Sequence, residues 1–242
     1  MEAALAWWQL AGVDHDYHED VTDWLVRADA PVLPSPVSNA PDATSQHSPT
    51  ETTKVNRANL LGDNPPADLD AFRQFWLETA GLDAIGPRGR IAPRGEPGAD
   101  LMVLVTDPEE CDREHLLSGP QGRLLTRIIA AMGLSAGQVY LASALPRHTP
   151  MADTDAIAAT GLDAVVVHHI KLAAPKRILA MGGGILPLLG HTSTKAPSSL
   201  AQIHQSLPDT PLLLTEGLDA MMTRPRLKAR FWRKWMAWAE QP

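Results

Sequence analysis

Four short, nearly uninterrupted apolar runs constrain the fold of this chain more than any other feature. They are Leu101-Met102-Val103-Leu104-Val105, Val139-Tyr140-Leu141-Ala142-Ser143, Arg177-Ile178-Leu179-Ala180-Met181 and Pro211-Leu212-Leu213-Leu214-Thr215. Runs of this length without alternation are what strands buried on both faces require. Between them lie stretches with helical apolar spacing: Gly122 to Met132 (Leu124, Leu125, Ile128, Ile129), Asp153 to Ala173 (Ile157, Leu162, Val165, Val166, Ile170) and a short helix after Gly182-Gly183-Gly184. A closing helix runs from Arg224 to Ala239, and an earlier one, capped by Asp68, carries Leu69, Phe72, Phe75 and Trp76 and ends at Gly81. Strand–helix alternation at this spacing predicts an α/β chain, a three-layer α/β/α sandwich on a four-stranded parallel sheet with right-handed crossovers. Ligands of such sheets bind at the carboxyl ends of the strands, which directs attention to the loops 106–121, 143–153, 182–185 and 215–223.

The rest of the chain has a different character. Residues 1–27 contain a short helical segment near 2–11, ended by Gly12, and a small apolar patch at Trp24 and Leu25. Residues 28–66 carry seven Pro, many Ser, Thr and Asn, and no aromatic residue. Such a stretch buries too little apolar surface to offset its ordering entropy, so it reads as a flexible Pro-rich linker, with the globular domain at 67–242.

Charge is uneven. The 242 residues carry a net charge of −7, but 1–100 hold 7 Lys/Arg against 16 Asp/Glu, whereas 101–242 hold 14 against 12. A contact with nucleic acid therefore belongs to the C-terminal part. The single cysteine, Cys111, can neither close an internal disulfide nor hold an iron–sulfur cluster or a cysteine-based zinc site, so no cofactor and no metal is expected. The N-terminus lacks a basic region and soon becomes acidic, unlike a signal peptide. No apolar run reads as a membrane span, and a reducing, cytoplasmic compartment without membrane partners is expected.

Candidate chemistry is sparse. Gly182–Gly184 follow a strand as a phosphate cradle would, but no Gly-Lys-Ser/Thr follows, which favours a tight turn. His168 and His169 are adjacent on a helix and point about 100° apart, a poor arrangement for chelating one metal. The acidic loop with Asp107, Glu109, Glu110, Asp112 and Glu114 could supply a general base or hold a hard cation, though its expected state is a solvated loop. In the closing helix, Leu227, Phe231, Trp235 and Trp238 form a core stripe. Arg224, Arg226, Lys228, Arg230, Arg233 and Lys234 form either a solvated face or a phosphate-contacting patch.

The order of segments from Phe72 to Trp238 resembles the family-four uracil-DNA glycosylases. Leu101–Leu104 with Pro108 stands where that family has its first strand and its G-E-A-P-G motif. Gly119-Pro120-Gln121-Gly122-Arg123-Leu124-Leu125 resembles G-x-A-G-x-L-L. Val139–Ser143 with Pro146-Arg147 follows V-Y-I-T-N and the loop after it, and Leu172 to Gly182 resembles the family's helix–proline–strand segment. Thr215, Pro225, Lys228 and Trp232 match its last motif, T-x-H-P-x-x-L-L-x-x-P-x-x-K-x-x-x-W. The resemblance implies a uracil-DNA glycosylase-like fold that flips a base out of DNA. It also places the family's functional positions. The water-orienting glutamate corresponds to Thr106, with Asp107 next to it. The base-reading asparagine corresponds to Ser143, and the His-Pro pair to Gly217-Leu218. The stacking aromatic corresponds to Leu117, so that Pro108, Leu117 and Ser143 would line the base pocket. The cluster cysteines are absent, leaving the loop near 80–95 to be held by packing alone. DNA contacts would come from Arg147, Arg224, Arg226 and Lys228, weak and salt-dependent, with a repair or replication protein as a further candidate partner. The expectation is a glycosylase-like protein that binds DNA or a partner without excising uracil. The alternatives are a glycosylase of altered base specificity using Asp107 or Glu109 as base, and a protein-interaction module on the same fold.

Overall fold

The computed structural model describes residues 57–83, 88–190 and 210–240. The expected N-terminal helix and the linker up to residue 56 lie outside the described residues. Four strands, β1 (Leu101–Val105), β2 (Val139–Ser143), β3 (Ile178–Met181) and β4 (Leu212–Thr215), form one all-parallel sheet in the order β2-β1-β3-β4. Met102 pairs with Tyr140 on one side and Ile178 on the other, and Ile178 pairs with Leu212. The apolar runs are therefore strands covered on both faces, as their composition predicts.

Alternate residues feed two separate cores. Met102, Leu104, Tyr140, Ile178, Ala180 and Leu212 face the layer containing α1 (Leu69–Glu78), α3 (Thr154–Ile157) and α4 (Asp163–Ala173). Leu101, Val103, Val139, Leu179, Met181 and Leu213 face α2 (Pro120–Ala131), α5 (Leu218–Thr223) and α6 (Pro225–Ala239). The result is the expected three-layer α/β/α sandwich. The expected cap on α1 is present, with Asp68 Oδ1 accepting from Ala71 N at 2.8 Å.

Two elements differ from the sequence reading. The helix expected over 153–173 is broken into α3 and α4 by a π-turn at Ala158–Leu162, where Gly161 adopts φ 109°. A Cβ there would stand 2.4 Å from the Ala58 carbonyl oxygen. The bulge therefore lets the chain before α1 lie against the helix: Ala58 N donates to Thr160 O at 3.1 Å, and Arg57 pairs with Asp163 at 2.8 Å. Leu60 and Leu61 also pack on the core, so residues ahead of Ala67 already belong to the packed domain. The second difference is α5, which occupies part of the expected loop 215–223. Its six residues are too few to show a period. It stays separate from α6 because Pro225 cannot donate a hydrogen bond and holds Arg224 in an extended conformation, φ −127° and ψ 95°.

The stretch Thr154–Ala173, taken whole, has the length and apolar composition of a membrane span. Within it Val165, Val166, Ile170 and Ala173 are buried in the sheet-facing core, and Asp163 is ion-paired.

His168 and His169 have separate structural roles. His168 Nε2 donates to Pro66 O at 2.8 Å. His169 is buried, stacked on Phe72 at 4.2 Å, and its Nε2 accepts from the Tyr140 hydroxyl at 2.8 Å. Burial raises the Tyr140 pKa, so the phenol keeps its proton. Burial, reinforced by the Arg73 and His168 charges, lowers the His169 pKa from 6.5 to about 3. Between those values the unfolded chain binds a proton that the folded chain cannot, so stability falls as pH drops through that window. From pH 6.5 to pH 5 the loss is about 2 kcal/mol. The double variant Tyr140→Phe/His169→Phe should remove this share of the loss. Urea unfolding of both proteins at neutral pH and at pH 5 checks it, and an equal drop in the two would refute the assignment.

Candidate functional site

β1 and β3 are neighbours whose following connections leave in opposite directions, which opens a crevice at their carboxyl ends. A cavity of about 540 Å³ lies there, walled by Thr106, Asp107, Pro108, His148, the glycine turn 182–184 and the Gly217–Ala220 segment. The glycines shape it by close approach. Gly182 has φ 113°, and a Cβ on it would lie 2.8 Å from Thr106 Oγ1. The tight-turn reading of this triplet therefore accounts for its first glycine.

Asp107 enters the cavity from the end of β1. Its Oδ2 lies 3.0 Å from His148 Nδ1 and accepts from Thr149 N at 3.0 Å. Burial pushes the Asp107 carboxyl pKa up; the Thr149 N–H and His148 oppose the shift, and Asp219 adds to it. His148 Nδ1 is also 2.9 Å from Pro108 O. Asp219, at the first turn of α5, folds back so that its Oδ1 would stand 2.5 Å from a Cβ on Gly217.

Of the motif-matched positions, Thr106, Asp107, Pro108 and Gly217 line the cavity. Ser143 does not: it is 3% exposed, and its hydroxyl donates to Leu145 O at 2.8 Å, inside the turn after β2. Leu117 is buried in the core beneath α2. The expected base pocket of Pro108, Leu117 and Ser143 thus keeps only Pro108.

The acidic loop is solvated only in part: Glu110 and Glu114 are exposed, but two other acids are not. Glu109 and Asp112 are 5% and 4% exposed. Glu109 accepts from the backbone N–H groups of Gly119, Gln121 and Gly122 at 3.1, 3.0 and 2.8 Å, which satisfies the start of α2. Asp112 accepts from the backbone N–H groups of Glu109, Leu117 and Ser118 and from the Ser118 hydroxyl. Glu109 therefore serves the helix rather than a reaction, and Asp107 is the loop's acid in the cavity.

Arg147 is turned away from the crevice. It pairs with Asp83 and donates to Arg88 O at 2.8 Å, with 14% of its side chain exposed. Asp83 also binds Arg90 at 2.7 Å, so the described residues up to 83 and from 88 on are tied by a semi-buried ionic knot and not by packing alone.

Arg224 and Arg226 are exposed beside α5, whereas Lys228 is half-buried. On a helix, positions two apart lie about 200° from each other, so Lys228 and Arg226 flank opposite sides of the core stripe. Arg226, Arg230 and Arg233 share one exposed face instead. Arg230 and Lys234 are paired with Glu216 at 2.5 and 3.1 Å. Glu216 Oε2 is buried and lacks a hydrogen-bond partner among the described residues. Burial works to raise the Glu216 pKa, but its own backbone N–H and the Lys234 and Arg230 cations hold it below the usual carboxylate range.

Sequence reading missed His148 and Asp219. His148 sits beside Arg147, which drew the attention in that loop, and Asp219 belongs to the helix too short to show a period. No protein-family model matches the chain, and no curated protein is significantly similar to it.

Proposed function

We propose that this domain is a uracil-DNA glycosylase-like protein that binds DNA and does not excise uracil. The observation that carries the proposal is the crevice at the β1/β3 switch point, which has a walled cavity but lacks the groups that uracil release needs. A departing uracil is an anion and needs a donor; losing one such donor costs about 10²–10³ in rate. Position 217 is a glycine, and the direction its side chain would take is filled by the Asp219 carboxylate. The Ser143 hydroxyl is committed to Leu145 O and cannot read a base edge.

DNA binding is supported by the exposed cations next to the crevice mouth, Arg224 and Arg226, continued along the same helix face by Arg233. Phosphate contacts release counterions, so affinity should be weak, nearly independent of sequence and steeply salt-dependent. Three contacts correspond to about a forty-fold change between about 50 and about 200 mM salt. Replacing Arg224, Arg226 and Arg233 by Ala together should remove that share of the salt slope, while Lys228→Ala alone should change little. Fluorescence anisotropy with a labelled oligonucleotide measures both. Wild-type protein that binds no DNA at low salt would refute DNA binding and favour a protein partner, such as a repair or replication protein. Uracil should not be released from a uracil-containing oligonucleotide. Gly217→His should not restore release, because the new side chain meets Asp219 and the base-reading group is still missing. The Asp107–His148 pair favours a second reading, a glycosylase of altered base specificity.

A further inference from the structure

We propose that Asp107 and His148 form a general-base pair, and that the cavity they line takes a nucleoside whose leaving base carries a positive charge, an N-alkylated purine. This rests on the glycosylase-like, DNA-binding reading above. The geometry fixes the tautomer. His148 Nδ1 lies between two acceptors, Pro108 O at 2.9 Å and Asp107 Oδ2 at 3.0 Å, so Nδ1 carries the proton. In the neutral ring Nε2 then keeps its lone pair. It has no partner among the described residues, and the ring stands between the Asp107 cavity and a neighbouring open pocket. An imidazole base oriented by a carboxylate is the arrangement that activates a weak nucleophile, here water.

The charge of the cavity selects the substrate. When water attacks C1′, its proton passes to His148 Nε2, the new C1′–O bond forms and the C1′–N bond breaks. The electron pair of that bond goes to the base. Uracil would leave as an anion, with the Asp219 carboxylate where a donor is needed. A purine alkylated at N7 starts as a cation, and the same electron pair makes it neutral, so no donor is required. The products are the neutral alkylated base, an abasic sugar and one proton on His148, which is passed to solvent. Asp107 and Asp219 both favour the cationic ring and the positive charge that develops on the sugar. In this scheme His148 is the catalytic residue and Asp107 a positioning residue.

The test uses the full chain and an oligonucleotide containing one 7-methylguanine, with release of the free base followed under single-turnover conditions. Wild type should release the base well above the protein-free rate and leave a uracil-containing control intact. His148→Ala should lower the rate about 10²–10⁴-fold. His148→Gln, which can still donate to Pro108 O, should be equally slow, and this separates chemistry from a folding defect. Asp107→Asn should lower the rate while leaving the dissociation constant of the uncharged uracil-containing control and the melting temperature unchanged, a split that a purely structural role would not produce. Binding of the oligonucleotide without release above the protein-free rate would overturn this inference and leave the DNA-binding reading standing. Absence of any binding would overturn both.

Discussion

Adding one methyl group at Gly122 should cost the domain about 4 kcal/mol or prevent folding, although Ala is ordinarily the better helix former. Gly122 lies in the first turn of α2. A Cβ there would stand 1.7 Å from the backbone oxygen of Leu117 and 2.5 Å from its carbonyl carbon. Neither atom belongs to a side chain that could swing aside, so the turn 117–119 would have to move. That turn is fixed from both sides: Asp112 accepts from Leu117 N and Ser118 N at 2.8 Å each, and Glu109 holds Gly119 N and Gly122 N. Moving it strains charge-assisted hydrogen bonds to two buried carboxylates, each worth about 1.5–3 kcal/mol. Glu109→Gln is the complementary test. It keeps an acceptor but loses the negative charge at the helix N-terminus, and should cost about 1–2 kcal/mol. Urea unfolding followed by tryptophan fluorescence measures both. A Gly122→Ala protein as stable as wild type would mean that the turn is soft and that the buried carboxylates do not hold it.

The same residues show what a sequence makes legible. Gly119 and Gly122 stand out in the linear reading as part of a motif, but the motif gives no reason for them; the reason is the close approach of Cys111 Sγ and the Glu109 carboxylate to Gly119 and of the Leu117 carbonyl to Gly122. The strands were readable because burial on both faces leaves only apolar residues; the order β2-β1-β3-β4 was not, because right-handed crossovers fit other orders as well. Capping of α1 by Asp68 was readable because the partner is three residues away. Glu109 was not, because the N–H groups it satisfies lie ten to thirteen residues on. The candidate site was partly legible for the same reason. Thr106, Asp107, Pro108 and Gly217 follow strand ends and so fall in the crevice by topology alone. Ser143 also follows this rule, yet its hydroxyl satisfies a local carbonyl, an outcome set by loop geometry. Arg147 and His148 are neighbours with opposite destinations, one toward Asp83 and the other toward Asp107. Their order in sequence carries no sign of which faces the cavity.

Asp83→Ala should destabilise the domain by about 3 kcal/mol, the low end of the cost of breaking a buried ion pair, because the knot is semi-buried and both cations keep carbonyl partners. Asp83, Arg90 and Arg147 have side chains 12%, 10% and 14% exposed, and both guanidinium groups converge on the one carboxylate. Arg90 binds Asp83 Oδ1 through Nε at 3.0 Å and Nη2 at 2.7 Å, while its Nη1 donates to Thr79 O at 2.7 Å. Nη1 also reaches Trp76 O at 3.2 Å and Leu77 O at 3.3 Å, so this arginine satisfies carbonyls at the end of α1. Arg147 donates to Arg88 O at 2.8 Å and so ties the loop after β2 to the stretch around 88. Without the carboxylate, two desolvated positive charges would face each other across the knot. Asp83→Asn, which keeps acceptors but not the charge, should cost less. High salt separates this knot from ordinary surface pairing. The exposed Arg73–Asp70 pair should contribute under about 1 kcal/mol and be screened away, whereas the Asp83 effect should persist in about 1 M salt. A loss below about 1 kcal/mol for Asp83→Ala, or one abolished by salt, would show that water already reaches the knot. Because Arg147 adjoins His148, the loosened variant should also broaden the His148 imidazole resonances in NMR spectra.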